Sequence, residues 1–132
     1  MVKITDLKAG DMVKVVHDGV EKEGEVVEIS REEGMACIDN GVQEFWYTAE
    51  EIMPIPLNEE QLLKLGFQSE PIEDGGVKYL KGPFRIVTME SGNFSNLEVW
   101  YREDRRHFHK LLYVHELQNH HLDMTKVPLD MP

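Results

Sequence analysis

A histidine-rich stretch near the end of the chain, YVHELQNHH at residues 113–121, has the residue types of a metal-binding helix. It begins like the H-E-x-x-H motif, in which two histidines one helical turn apart ligate zinc. One turn after His115, however, the chain has Asn119, and an amide is a poor zinc ligand. At about 100° per residue, His120 and His121 lie about 140° and 120° around the helix from His115. The spacing therefore excludes a zinc-protease site.

The same stretch has the pattern of an amphipathic helix. Its apolar stripe consists of Tyr113, Val114, Leu117 and Met124, with polar residues around the rest of the circumference. His121 falls on the apolar side, which predicts a histidine at the edge of a core with a hydrogen bond. We interpret this helix as a structural element.

A second pair of histidines, His107 and His109, has the spacing of a chelate on a strand. Alternate residues of a strand project to the same face, so both imidazoles would point together. A third ligand from another element would be needed for a metal site. A polar face on a hairpin explains the same pair, and we favour it. A metal-dependent enzyme that uses this pair is kept as the second alternative function.

The basic residues of the second half concentrate near residues 100–110, where aromatic residues interleave with them. This cluster comprises Trp100, Arg102, Arg105, Arg106 and Lys110. Arginines beside aromatic rings can hold single-stranded nucleic acid or an anionic peptide. The intervening acidic pair at residues 103–104 dilutes the cluster, so a solvated turn is the simpler interpretation. A nucleic-acid-binding hairpin is the first alternative function.

Three consecutive aromatic residues, Phe45, Trp46 and Tyr47, lie in a predicted strand. Alternation sends Phe45 and Tyr47 to one face and Trp46 to the other, so at least one ring lies outside the local core. Exposed aromatic residues on small β-domains can hold extended peptides. Packing against the C-terminal half of the chain would explain the same residues. Trp46 and Tyr47 are therefore candidate binding residues.

Composition narrows the classes of function. The chain has 132 residues, 41% of them hydrophobic, and a net charge of −11. This acidity argues against nonspecific binding to nucleic-acid duplexes, which depends on neutralising phosphates. We find no apolar leader and no apolar run of about 20 residues that could span a membrane. The single cysteine, Cys37, is typical of a reduced, buried thiol, and we expect a cytoplasmic protein without cofactor.

The first half of the chain predicts short strands separated by turns. Turn signals occur at His17-Asp18-Gly19, Glu33-Gly34 and Asn40-Gly41, and the last is the strongest two-residue hairpin signal in the chain. Five strands in about 55 residues are typical of a small, twisted SH3-like barrel. The prolines of IMPIPL interrupt the strand pattern there, so we place a domain boundary between residues 56 and 57.

The second half predicts an antiparallel sheet with a helix before and after it. Asn58 suits the N-cap of a helix over residues 58–65, and Gly66 with Phe67 suits a Schellman ending. Strands follow in VKYL, PFRIVTM and LEVWY, and a turn is predicted at Glu103-Asp104-Arg105. HFHKLL would then lead into the final helix near Tyr113. The short tail VPLDMP is expected to fray or to lie along the surface.

Two segments together resemble a group of small uncharacterised proteins of gut anaerobic bacteria and their phages. These segments are IPLNEEQLLKLGF and YVHELQN, and the start of the chain, LKAGDMVKV, resembles the entry strand of SH3-like and KOW-type barrels. Gln61 stands where a Trp is usual in the group, and His120-His121 replaces a Leu-Tyr pair. The group carries no established activity, so the resemblance implies an architecture and a mobile-element context without catalytic residues.

The sequence thus predicts an α+β protein with two units. Residues 1–56 would form the SH3-like β-barrel, and residues 57–132 an antiparallel sheet with two helices. We expect a non-catalytic protein-interaction or accessory module of phage or mobile-element origin. The first 57 residues hold 5 basic against 13 acidic residues, a net of −8. Such a charge would steer basic partners toward this unit.

Overall fold

The chain folds into two compact units, Met1–Ile55 and Pro56–Pro132. A computed structural model gives their architecture, and the structure describes residues 2–131. These residues contain two antiparallel sheets and two α-helices, so the α+β class predicted from the sequence is confirmed. Within the same range, no helix has the length and apolarity that a bilayer crossing requires.

The first unit is a five-stranded antiparallel sheet with the order β4-β3-β2-β1-β5. Its strands are β1 (Met12–His17), β2 (Val20–Ser30), β3 (Met35–Asp39), β4 (Glu44–Thr48) and β5 (Ile52–Met53). Among residues 2–131, no strand ladder joins β4 to β5, so these two strands are the edges of the sheet. A closed barrel is therefore not shown, and the SH3-like barrel stays a prediction.

Two of the three turn signals of this unit have different outcomes. Asp18 and Gly19 both have positive φ and form a two-residue turn where one is predicted, but His17, included in the prediction, belongs to β1 and pairs with Val20. The Asn40-Gly41 signal does mark a hairpin, but the strands stop at Asp39 and Glu44 and leave a four-residue loop. The two-residue prediction is wrong because Asn40 is buried. Its side chain accepts bonds from two loop amides and donates to the Tyr47 hydroxyl at 3.0 Å.

The first sheet is strongly curled. Three strand spacings separate β1 from β4, which would be about 14 Å in a flat sheet. The rings of His17 and Phe45, at the ends of these strands, nevertheless approach to 5.3 Å between centroids. Two features of β2 accompany the bend: a register shift between Val26 and Glu28, and the close approach of β3 to Gly24. Bulges and strand glycines are common devices for bending a strand.

The curl encloses a small apolar core. Val13, Val15, Val26 and Ile38 are almost completely buried in it, together with Tyr47. Alternate residues of the first strand point inward, since Val13 and Val15 are buried whereas Val16 is exposed. One face of the sheet thus supplies the core, and the other face and the strand ends remain for contacts with solvent or ligands.

The second unit is an antiparallel meander with two helices. Its strands, in the order β10-β9-β8-β7-β6, follow their order along the chain. Helix α1 (Glu59–Lys64) precedes the strands β6 (Gln68–Pro71), β7 (Val77–Lys81), β8 (Phe84–Thr88), β9 (Leu97–Tyr101) and β10 (Asp104–Phe108), and helix α2 (Val114–Thr125) follows them.

Helix α1 has the ends that its sequence predicts. The Asn58 side chain accepts a bond from the Gln61 amide at 2.9 Å, which is the expected N-cap. At the other end, Gly66 has a φ of +92°, and the amides of Phe67 and Gly66 donate to the carbonyls of Leu62 and Leu63. These two bonds are the Schellman pattern.

The predicted turn at Glu103-Asp104-Arg105 is wrong by two residues. Tyr101 pairs directly with Asp104, so Arg102 and Glu103 form the turn and Arg105 lies in the strand. Arg102 takes the left-handed conformation with a φ of +56°. That conformation is uncommon for arginine and more common for glycine and asparagine. Because the turn contains neither of these residues, its position has no signal in the sequence. The strand also ends at Phe108, earlier than HFHKLL suggests.

Helix α2 begins after Tyr113, as predicted, and its side chains bind the backbone of the residues that follow it. His121 is buried at the apolar edge, and its Nδ1 lies 2.8 Å from the Val127 carbonyl oxygen, which confirms the predicted hydrogen bond. The Gln118 amide donates to the Leu129 carbonyl at 2.8 Å, and Leu129 is itself buried. Of the two expectations for this tail, fraying is wrong, because helix side chains bind the carbonyls of Val127 and Leu129. The exposure of residues 127, 128 and 130 agrees with the other, a segment along the surface, and Pro132 lies outside the described residues.

We predict that Gly24→Ala destabilises the first unit. A Cβ at this position would lie 2.6 Å from Ile38 Cγ2 and 2.7 Å from the Asp39 carbonyl oxygen, and the backbone atom cannot move aside cheaply. Overpacking of this kind costs about 1–3 kcal/mol in free energy of unfolding. Urea unfolding in a Trp100→Phe background, where Trp46 is the sole tryptophan, measures the loss by tryptophan emission. Glu25→Ala, at the exposed neighbouring position, is the control, and an equal effect of both variants would contradict the prediction.

Candidate functional site

An open groove in the first unit brings aromatic and acidic side chains together. It has a volume of about 260 Å³ and is lined by His17, Asp18, Phe45, Trp46, Tyr47 and Glu51. The curl of the sheet creates it, because the β1–β2 turn then lies beside strand β4. Both candidate aromatic residues of this region, Trp46 and Tyr47, contribute to its wall.

The three aromatic rings of the groove have different roles. Tyr47 is buried and belongs to the core of the unit, whereas Phe45 and Trp46 are each 42% exposed. Phe45 lies edge-on to Tyr47, at 6.3 Å between ring centroids, and tilted against His17. Phe45 and Tyr47 therefore lie on one face, as the predicted alternation requires, with Tyr47 in the core and Phe45 at its open end.

The two carboxylates of the groove differ in how firmly they are held. Glu51 Oε1 accepts bonds from the Thr48 amide at 2.9 Å and from the Thr48 hydroxyl at 3.1 Å. The Asp18 side chain is 90% exposed, and its Oδ2 lies 3.4 Å from His17 Nε2. One negative charge therefore has a fixed position, and the other can move toward a ligand.

Sequence reasoning found the aromatic residues of this groove but missed His17, Asp18 and Glu51. His17 and Asp18 lie about thirty residues before the aromatic run, at the end of β1 and in the turn after it, and β1 does not pair with β4. Their proximity depends on the curl of the whole sheet, which no local pattern contains. The Asp18-Gly19 turn signal located the turn without showing what it faces.

The β9–β10 hairpin of the second unit divides its basic residues between two faces. On one face, the guanidinium carbon of Arg105 lies 4.1 Å from the centroid of the Trp100 ring. On the neighbouring strand β8, Arg85 is the register partner of Trp100. Glu98 accepts a bond from Trp100 Nε1 at 3.1 Å. The row of Arg85, Trp100 and Arg105 is called the Arg-Trp ladder below. Arg85 was not among the predicted residues.

Arg106 points to the other face and is engaged by helix α2. Its guanidinium donates to Asp123 at 2.8 Å and lies 3.2 Å from His120 Nδ1, and Asp104 is a further partner at 3.4 Å. The hydrogen bond with Asp123 raises the pKa of Arg106 and lowers that of Asp123. Arg106 is therefore a structural residue in this fold, and the predicted cluster does not form one patch.

The remaining basic candidates lie at the ends of the hairpin. Arg102 occupies the turn, with its guanidinium 5.2 Å from the ring of Tyr101. Lys110 is exposed just after β10. Neither adjoins the Arg-Trp ladder by strand pairing, so they contribute charge to the region without extending the ladder.

His107 and His109 come together as predicted, with ring centroids 4.1 Å apart. His107 Nε2 also lies 2.6 Å from Asn96 Oδ1, on the loop before β9. Across residues 2–131, no three side chains of His, Cys, Asp or Glu are grouped to hold a metal ion. A metal site at His107 and His109 would need a third ligand, and the neighbour found there is the amide oxygen of Asn96.

The three histidines of helix α2 meet three different partners. The ring of His121 packs on that of Phe84, with 4.6 Å between the ring centroids, and the ring of His120 packs on that of Phe108 at 4.8 Å. The ring of His115 is parallel to that of Tyr113, with 6.2 Å between their centroids. Their side chains diverge, as the helical spacing predicts. Each imidazole contributes to packing at a different point of the helix.

Comparisons of this chain with protein-family models, with curated proteins and with solved structures find no match. The geometry of the groove and of the hairpin is therefore the basis for functional inference.

We predict that the second unit loses stability as the pH falls below the ordinary pKa of histidine, and that His120 contributes to this loss. Burial lowers the pKa of His120 from 6.5, and the charge of Arg106 lowers it further, against the opposing effects of Glu116 and Asp123. The unfolded chain therefore binds a proton at a higher pH than the folded chain. The stabilisation is complete above about pH 6.5 and decreases on acidification.

Urea midpoints at about pH 7.5 and about pH 5.5 measure this effect, because the range lies above the ordinary pKa values of carboxylates. His120→Gln keeps an acceptor for Arg106 and removes the titration, so its midpoint should change less with pH than that of the unsubstituted chain. His109→Gln, an exposed histidine, serves as the control. A pH dependence that is unchanged in His120→Gln would refute the assignment.

Proposed function

We propose that this chain is a non-catalytic protein-interaction module whose groove binds an extended, basic segment of a partner protein. The observation that carries the proposal is the exposure of Phe45 and Trp46 beside Asp18 and Glu51. Contiguous exposed apolar surface with a polar rim marks interaction sites on proteins. Aromatic residues are also the side chains on which binding energy concentrates at interfaces.

Charge selects the kind of partner. The first 57 residues carry a net charge of −8, and both charged side chains of the groove are carboxylates. An acidic partner would be repelled, whereas a basic partner would be attracted during diffusion and held at the rim. Strand β4, an edge of its sheet, adjoins the groove, and an extended segment can run along such an edge.

Several coarser features support the rest of the proposal. We propose an SH3-like barrel for the first unit, since its strands form a meander in which β5 returns to β1 and the sheet curls. A cytoplasmic location is proposed because Cys37 is a buried free thiol, whose pKa is raised by burial and by Glu44 and Glu28. The phage or mobile-element context rests on the resemblance of the segments at residues 55–67 and 113–119.

Substitution of Trp46 tests the groove. Labelled, extended peptides of equal length, one basic, one neutral and one acidic, are titrated with the full chain by fluorescence anisotropy. We expect the basic peptide to bind best and Trp46→Ala to weaken it by about tenfold or more, the usual effect of removing an aromatic anchor. Phe45→Ala should act in the same direction.

Val42→Ala is the matched control, because Val42 is an apolar residue that is 65% exposed in the loop before β4 and does not line the groove. Equal affinities of the Trp46→Ala and Val42→Ala variants would show that the peptide binds elsewhere. Preference for the acidic peptide would contradict the charge argument.

A second candidate function is the binding of single-stranded nucleic acid by the Arg-Trp ladder. The specific observation is the guanidinium of Arg105 over the Trp100 ring, with Arg85 as the next residue in the row. Nucleobases stack on aromatic rings and on guanidinium planes, and the two charges would contact phosphates. Glu98, which accepts the bond from Trp100, and the net charge of −11 oppose this function, which is why it ranks second.

For this candidate we expect weak, salt-sensitive binding of labelled single-stranded oligonucleotides, with Arg105→Gln reducing the affinity by about tenfold. Arg31→Gln removes the same charge from the first unit and should have little effect. Affinity at low salt that neither variant changes, or no binding at all, would eliminate the ladder as a nucleic-acid site.

A further inference from the structure

We infer that the groove of the first unit is a receptor for a single arginine side chain of the bound segment. This inference rests on the proposed function and specifies which chemical group the groove recognises. It follows from the size of the groove, the composition of its walls and the placement of its charges.

The size of the groove matches one side chain better than a small-molecule ligand. Its volume of about 260 Å³ lies below the range of about 300–1,000 Å³ that is usual for small-molecule pockets. The groove is also open to solvent along strand β4, where Phe45 and Trp46 are exposed. A side chain can therefore enter from a backbone that stays outside.

The walls of the groove favour a cation with flat faces. The rings of His17, Phe45 and Tyr47 are in contact there, Trp46 is a further aromatic residue of the lining, and no lysine or arginine of residues 2–131 lines the groove. The rings of Phe45 and Tyr47 stand at 75° to each other, so they form a corner in which one ring presents its face and the other its edge. A cation over an aromatic face gains attraction from the ring quadrupole.

The carboxylates supply the matching charge at the rim. Glu51 is fixed through Oε1 by the amide and hydroxyl of Thr48, so its second oxygen is held in place for a ligand. Asp18 lies on the opposite, β1–β2 side, and its exposed side chain can turn toward the same ligand. A guanidinium could then bind a carboxylate while its plane lies on a ring.

Arginine fits these features better than lysine. Its guanidinium is planar, can donate two parallel bonds to a carboxylate and loses weakly held water on burial. The lysine ammonium is a compact and strongly hydrated charge that cannot stack. The same chain already pairs arginine with aromatic rings on its second unit, at Arg105–Trp100 and Arg102–Tyr101.

The two tryptophans of the chain allow a specific test. Trp100→Phe leaves Trp46 as the sole indole, so its emission reports on the groove in an otherwise complete chain. Three otherwise identical extended peptides are titrated, with arginine, lysine or the uncharged isostere citrulline at one central position. We expect the arginine peptide to change the Trp46 emission and to bind about tenfold more tightly than the citrulline peptide, with lysine between them.

A second variant connects this preference to the carboxylate. Glu51→Gln in the Trp100→Phe background should reduce the ratio of arginine to citrulline affinity toward one, whereas Val42→Ala should leave it unchanged. N-acetylarginine amide, titrated in the millimolar range, should give a weaker change in the same emission. No response to this compound together with no response to the arginine peptide would overturn the inference.

The failures of the two proposals can be told apart. Equal affinity for all three peptides, with a change in Trp46 emission, would refute the arginine inference and leave the groove as a binding site for extended segments. Binding that anisotropy detects without any change in Trp46 emission, and that Trp46→Ala does not weaken, would refute the groove itself.

Discussion

The curl of the first sheet is the constraint on which the candidate function depends. Strands β1 and β4 belong to the same sheet but are not neighbours, and only a strong bend brings His17 to Phe45. The bend passes through β2, where Gly24 lets β3 approach and a register shift changes the strand direction. The same bend closes the apolar core over Tyr47 and leaves Phe45 and Trp46 at its open edge. Core and groove are thus two results of one backbone feature.

In the second unit, strand alternation decides which basic residues can act. Arg105 and Arg106 are neighbours in sequence, yet one lies over Trp100 and the other is bound by Asp123 and Asp104. A cluster of charges in a sequence is therefore a poor guide to a patch on a strand, because successive residues leave the sheet on opposite faces. The bond from Arg106 to Asp123 and its contact with His120 Nδ1 connect β10 to α2.

Features that depend on residues close together in the sequence were predictable, and features that depend on contacts between distant segments were not. The ends of α1 and the turn at Asp18-Gly19 were predictable, because caps and tight turns depend on a few consecutive residues. The turn at Arg102-Glu103 was not, since an arginine with positive φ is held by the pairing of Tyr101 with Asp104 and has no local signal. The same distinction divides the candidate site. Trp46 and Tyr47 were found as an aromatic run, whereas Asp18 and Glu51 join them only through the folded sheet.

The groove combines fixed and adaptable parts, and this combination favours recognition of a flexible segment. The ring of Tyr47 is held by the core and by the bond from Asn40, and Glu51 is held by Thr48. Tyr47 and Glu51 would thus fix the position of a bound guanidinium. Because they need not reorganise when the ligand binds, the entropic cost of binding is reduced. Phe45, Trp46 and Asp18 are exposed and can adjust to the residues on either side. Selection of one side chain by the fixed groups, with tolerance of its neighbours by the exposed ones, is the behaviour expected of a module that binds short extended motifs.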